Sequence, residues 1–181
     1  MKDSIRLFVA AVLPESLKDK LYSQLAAFEH PDIRFVPKQN LHLTLYFIGN
    51  AATAELESIK EKIKETASHY PPFMLRYRQT EPGPDAKKPR LVWARFEPHD
   101  TFKQLSRELT QQLSGEKPSK EKPIPHVTMA RFRKDKPKPK DLPVITPEQE
   151  LELQVNGIAL WQSELATPHP IYTILKVYPL A

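Results

Sequence analysis

The 181-residue chain has no cysteine, which excludes disulfides, thiolate nucleophiles and thiolate metal sites together. Glycine is almost as scarce. The four present, Gly49, Gly83, Gly115 and Gly157, lie too far apart to build a phosphate-cradling loop of the Walker or dinucleotide kind, so dependence on ATP or NAD is not expected. No apolar run approaches the roughly 18 residues of a membrane span. Met1-Lys2-Asp3-Ser4 leads straight into a short apolar stretch, without the pattern of a secretory leader. These absences predict a cytoplasmic protein that neither enters a membrane nor carries a cofactor.

The chain is long enough to bury a sizeable core as one domain or as two closely packed lobes. Its 40% hydrophobic and 27% charged content is ordinary for a soluble globular protein. The net charge of +5 is unevenly spread. Between Lys117 and Lys140 nine basic residues face only Glu121 and Asp135, a local surplus of +7 that exceeds that of the whole chain. Such a concentration suggests an anionic partner, with nucleic acid the leading choice, although Lys/Pro stretches also serve as plain solvated loops.

Leu41 to Gly49 reads Leu-His-Leu-Thr-Leu-Tyr-Phe-Ile-Gly, a period-two alternation of strand length. In a regular strand His42, Thr44 and Tyr46 share one face while Leu43, Leu45 and Phe47 share the other. The pattern returns in Pro125-His126-Val127-Thr128-Met129-Ala130-Arg131-Phe132, 84 residues on. That offset is close to half the chain. It suggests a duplication in which each half supplies one strand with one His-x-Thr, the two facing each other across a small cavity.

Taken in order, Ser4 to Val12 is a buried strand and Pro14-Glu15 opens a helix with Leu17, Leu21, Leu25 and Phe28 inward. Ile33 to Val36 and the first motif strand follow. Thr53 caps a second helix to about His69, with the stripe Leu56, Ile59, Ile63, Ala67. Phe73 to Arg78 is a strand, Glu81 to Pro89 a loop, and Arg90 to Phe96 a strand. Asp100 or Thr101 caps a third helix with Phe102, Leu105, Leu109 and Leu113 inward. After the second motif strand, residues 133–147 read as a mobile Lys/Pro-rich surface loop. Strands about Leu151 to Gln162 and Ile171 to Tyr178 close the chain. The class is α+β with largely antiparallel pairing.

Imidazole exchanges protons near neutral pH without a large pKa shift, so two facing histidines form an acid and base pair. Threonine hydroxyls beside them can hydrogen-bond non-bridging phosphoryl oxygens. This chemistry suits an activated substrate such as a strained 2′,3′-cyclic phosphate at an RNA end. A metal site fits poorly, because neither motif adds a carboxylate or second histidine at ligand spacing. His30, His69, His99 and His169 read as surface residues near element ends.

Arg6-Leu-Phe-Val-Ala with Leu13-Pro14, Phe35-Val36-Pro37 with Asn40 to Gly49, and Pro125 to Arg131 together resemble the two-histidine phosphoesterases. Within them the likeness is to the bacterial and archaeal RNA 2′,3′-cyclic phosphodiesterases formerly described as 2′-5′ RNA ligases (LigT-like), and it spans nearly the whole chain. The resemblance implies two pseudo-symmetric lobes, each a mainly antiparallel sheet backed by helices, with the active site in the groove between them. It implies metal-independent hydrolysis of RNA 2′,3′-cyclic phosphate ends, tRNA-derived ones among them, to 2′-phosphomonoesters, with reversible 2′-5′ joining, no cofactor and no obligate protein partner. His42 and His126 would be the catalytic pair, Thr44, Thr128 and Arg131 the phosphate and nucleotide contacts. Arg131 is an odd step from His126 and needs a bulge, strand end or twist to reach that face. Tyr46 stands where relatives often have lysine; it would stack on a base or cover the groove. An RNA-binding protein without catalysis, and a phosphodiesterase of small cyclic nucleotides, are the alternatives.

Overall fold

The computed structural model describes residues 3–118 and 122–181; Lys120 and Glu121 of the basic segment fall outside them. The elements are β1 (Ser4–Ala11), α1 (Glu15–Ser23) continued by a 3-10 turn (Gln24–Phe28), β2 (Ile33–Phe35), β3 (Leu43–Ala52), α2 (Leu56–Ala67) and β4 (Phe73–Gly83). Then come β5 (Leu91–Phe96), α3 (Asp100–Ser114), β6 (His126–Phe132), β7 (Glu152–Val155), β8 (Gly157–Glu164) and β9 (Ile171–Pro179). The class is α+β, as the alternation of elements implies.

The strands form one hydrogen-bonded path, β7-β4-β5-β6-β3-β1-β8-β9, with β2 added to β6. Every pairing is antiparallel. The path divides at its middle. β3 and β6 meet through a single residue pair, Leu43 with Val127, both fully buried. These two residues are themselves 84 apart. The seam therefore lies between the two copies of the motif, with four strands of the path to either side and β2 added beside β6.

β1 shows how the sheet separates core from site. Leu7, Val9 and Ala11 point into the main core with the inward stripes of all three helices, while Phe8 and Ala10 join a smaller cluster with Ala159 and Trp161. Burying a side chain such as Leu7 or Leu43 contributes about 1.5–3 kcal/mol. The main core therefore holds the helices to the sheet and leaves the other face for the aromatic cluster.

Several boundaries differ from the sequence reading, each for a local reason. β4 runs on through Glu81-Pro82-Gly83, taken above for loop; there Pro82 pairs only with Val92 of β5, so its missing N–H faces an unpaired edge. The last-but-one strand is two, β7 and β8, parted at Asn156. Helix α3 is capped not by Asp100 or Thr101 but by His99, whose Nδ1 accepts from the Thr101 N–H at 3.2 Å. α2 is entered through a 3-10 turn, Thr53–Glu55. Residues 133–147 have no helix or strand, yet Ile145 exchanges two backbone hydrogen bonds with Thr80, and Leu142 and Ile145 pack on the core.

Candidate active site

His42 stands at the entrance of β3 and His126 opens β6. Each ring turns back on its own chain in the same way. His42 Nδ1 lies 2.7 Å from the Asn40 carbonyl, and His126 Nδ1 lies 2.7 Å from the Ile124 carbonyl. A carbonyl can only accept, so Nδ1 carries the hydrogen in both rings and Nε2 is left as the working nitrogen. Asn40 is itself held, its side-chain amide donating to the Pro170 carbonyl at 3.0 Å. The antiparallel register about Leu43 and Val127 sets His42 across from Thr128, and Thr44 across from His126.

Both motif strands then break step at the same place. Against β1, Ala10 pairs with Thr44 but Val9 pairs with Tyr46, so Leu45 is an extra residue in β3. Against β5, Trp93 pairs with Thr128 but Val92 pairs with Ala130, so Met129 is an extra residue in β6. An extra residue inverts the alternation beyond it. Arg131, at an odd step from His126, thereby comes onto the face of His126 and Thr128. Tyr46, an even step from His42, is turned away. It packs against the main core and does not line the cavity beside Thr44, so neither a stacking nor a groove-covering place fits this geometry. Phe47, expected in the core, is on the open face, stacked on Phe8 with ring centres 6.3 Å apart and with the Arg6 guanidinium 5.0 Å above it.

Each bulge is fastened by the opposite half. The Leu45 carbonyl accepts from the Ser106 hydroxyl of α3 at 2.6 Å, and the Met129 carbonyl accepts from the Val36 N–H at 2.9 Å. A buried carbonyl turned out of its ladder needs such a partner.

The cavity in front of these strands has a volume of about 370 Å³, within the range of small-molecule sites. His42, Thr44, Thr128 and Arg131 line it, and His126 stands just beside its wall, near enough for its charge to act on His42. Three guanidiniums, Arg6, Arg34 and Arg131, border the space, and among the described residues no carboxylate does. Residues 133–147 do not reach it. The positive charge at the site therefore comes from strand arginines and not from the Lys/Pro segment.

The two imidazoles differ in surroundings. His42 is enclosed by Phe8, Tyr172 and Trp161, with ring centres at 4.8, 5.3 and 5.7 Å, whereas His126 has Trp93 at 5.0 Å. Burial pushes His42 down to about 4; its bond to Asn40 opposes the shift, and the charges of His126 and Arg131 add to it. Burial also lowers His126, opposed by the Ile124 carbonyl and reinforced by Arg131. Among the described residues, no group of three His, Asp or Glu side chains could hold a metal ion, and no helix is long and apolar enough to cross a membrane.

The family model described as the 2′-5′ RNA ligase superfamily matches residues 11–167. The chain belongs to this superfamily. Among its curated relatives, the RNA 2′,3′-cyclic phosphodiesterase of Thermus thermophilus is 34% identical, with 97% of this chain and 90% of that protein covered. The protein of the same name from Methanothermobacter thermautotrophicus is 30% identical, over 97% of this chain and 99% of the relative. The crystal structure of TT0787 of Thermus thermophilus matches with a TM-score of 0.82 at 32% identity, covering 97% and 98% of the two chains. That of E. coli LigT in apo form matches with a TM-score of 0.81, covering 99% of each chain, and at 24% identity shows the shared fold.

Sequence reasoning missed Arg6, Arg34, Phe47, Tyr172 and His169 in the lining of this cavity. One of them was within reach. Phe47 and Arg131 are 84 residues apart, so the odd step raised for Arg131 applied equally to Phe47.

Proposed function

We propose that this protein hydrolyses RNA 2′,3′-cyclic phosphate ends to 2′-phosphomonoesters through His42 and His126, without a metal ion. The observation that carries the reading is the matched anchoring of two imidazoles, each held through Nδ1 by its own backbone, beside one arginine-bordered cavity that no carboxylate of the described residues lines. Relatives named RNA 2′,3′-cyclic phosphodiesterase, at 34% and 30% identity over most of the chain, support it.

In this mechanism the phosphorus lies between the two Nε2 atoms. His42, lowered to about 4 by its aromatic surroundings, is neutral at pH 7 and accepts a proton from water as the water oxygen bonds to phosphorus. The bond from phosphorus to O3′ breaks, and protonated His126 gives its Nε2 proton to O3′; the bound phosphate monoanion favours that protonated form. One water is consumed, and the histidines exchange their protons with solvent to reset. Thr44 and Thr128 donate hydrogen bonds to the non-bridging oxygens, and Arg131 neutralises the charge that builds there. When the 5′-hydroxyl of another RNA takes the place of water, the product is a 2′-5′ linkage.

The test is hydrolysis of an oligoribonucleotide with a cyclic phosphate end, tRNA fragments included, in the presence of EDTA. A 2′-phosphate product that disappears in His42→Ala and His126→Ala is the expected result. Turnover retained in both variants would remove the two histidines from the mechanism, and RNA bound without any turnover by the unaltered protein would reduce it to an RNA-binding module.

A further inference from the structure

Arg34 of β2 is directly opposite Arg131 of β6 in the strand register. Residues opposite each other in an antiparallel pair project to the same side, and like charges so placed repel. Both line the cavity, and among the described residues no carboxylate pairs with either. An arginine pair left in this state is a seat for an anion.

Its position says which anion. Arg34, Phe35, Pro37 and His169 line the cavity and also a neighbouring compartment of about 510 Å³, so the two form one cleft with Arg34 at the passage. The second compartment lacks both catalytic histidines and both motif threonines. It is walled instead by Tyr22, 37% exposed, with His30 and Glu29. A cyclic phosphate closes the 2′ and 3′ oxygens of the last nucleotide, so an RNA chain can leave the site only through the 5′ oxygen of that nucleotide.

We infer that Arg34 binds the phosphate linking the terminal to the penultimate nucleotide, with Arg131 shared between that phosphate and the cyclic one, and that the second compartment holds the penultimate nucleoside against Tyr22. The inference rests on the activity proposed above and makes the substrate an RNA chain and not a lone nucleotide. Glu29 suits the base end of that compartment, where a carboxylate can accept from an exocyclic amine. The linking phosphate stays with the arginines.

Three substrates test it: adenosine 2′,3′-cyclic phosphate, the same nucleotide with a 5′-phosphate, and the dinucleotide ApA ending in a 2′,3′-cyclic phosphate. A charge-assisted contact predicts that adding the 5′-phosphate raises kcat/KM about ten- to hundredfold. Arg34→Ala should bring the first two substrates close to parity, and Arg34→Lys should restore part of the gap. Tyr22→Ala should keep the 5′-phosphate gain but remove about fivefold or more of the further gain shown by the dinucleotide. Equal turnover of all three substrates by the unaltered protein overturns the inference, as does an Arg34→Ala loss of equal size on each. Absence of turnover on every substrate would instead remove the activity itself. Binding then decides the subsite alone: adenosine 2′,5′-bisphosphate should bind more tightly than adenosine 2′-phosphate through Arg34, and equal affinities would refute it. Because Arg34→Ala relieves a like-charge contact, its melting temperature should not fall, which separates a binding role from a structural one.

Discussion

The two motif strands share a backbone and differ in what surrounds it. His42 and His126 use the same bond to the carbonyl two residues back, and Leu45 and Met129 are the same extra residue after the threonine. Beyond that point the halves part. The position that carries the Arg131 guanidinium in the second half carries the Phe47 ring in the first. Three aromatic rings enclose His42, and one lies against His126. Matched backbone geometry thus sets two imidazoles in equivalent places, and different packing gives them different surroundings. The acid and base proposed above rest on that difference.

The largest effects should come from the histidines, where His42→Ala and His126→Ala each lower kcat about 10²–10⁴-fold. The division of labour shows with a substrate whose 3′ leaving oxygen is replaced by sulfur, which departs without protonation. Turnover of that substrate should return in His126→Ala and not in His42→Ala, and the reverse pattern would exchange the two roles. Next in size is the pH dependence of stability. The fold lowers His42 from 6.5 to about 4, so the protein binds fewer protons folded than unfolded between those values. Stability is then full above about pH 6.5 and falls by on the order of 3 kcal/mol as pH drops through 4. Urea midpoints for His42→Gln should flatten this dependence more than those for His126→Gln; equal flattening would erase the difference between the halves.

Arg131→Ala should cost about ten- to hundredfold in kcat/KM, mostly in kcat, because the charge that builds on the phosphoryl oxygens loses its charge-assisted contact. Phe47→Ala, at the matching position of the other half, should cost far less in turnover and show instead in the fold. Losing the Arg6 contact and the stack on Phe8 is worth about 0.5–1.5 kcal/mol, readable as a small drop in melting temperature. If Phe47→Ala impairs turnover as much as Arg131→Ala, the two positions are functional equals after all.

Much of the site was legible in the sequence because it is written as residue identity: two His-x-Thr copies at one offset, each entered from proline. The helices were legible because Leu17, Leu21, Leu25 and Phe28, or Phe102, Leu105 and Leu109, repeat at helical spacing and are all buried. The bulges were not, since nothing in Thr-Leu-Tyr or Thr-Met-Ala distinguishes a broken ladder from a regular one. The odd step of Arg131 exposed one bulge only because a role had been assigned to it. Tyr46 and Phe47 had no such constraint, and regular alternation put each on the wrong face. Arg34 escaped notice because its partner across the strands is almost a hundred residues away, and short-range patterns carry no register.

The cross-bracing of the two bulges sets a limit on how the molecule can be divided. A polypeptide ending after β4 would lack the Ser106 hydroxyl that Leu45 needs, and one beginning at β5 would lack the Val36 amide that Met129 needs. Neither fragment can satisfy its own motif strand. Cutting the chain between β4 and β5 therefore strands one buried carbonyl in each piece, so the two pieces would hold their bulges only when brought back together.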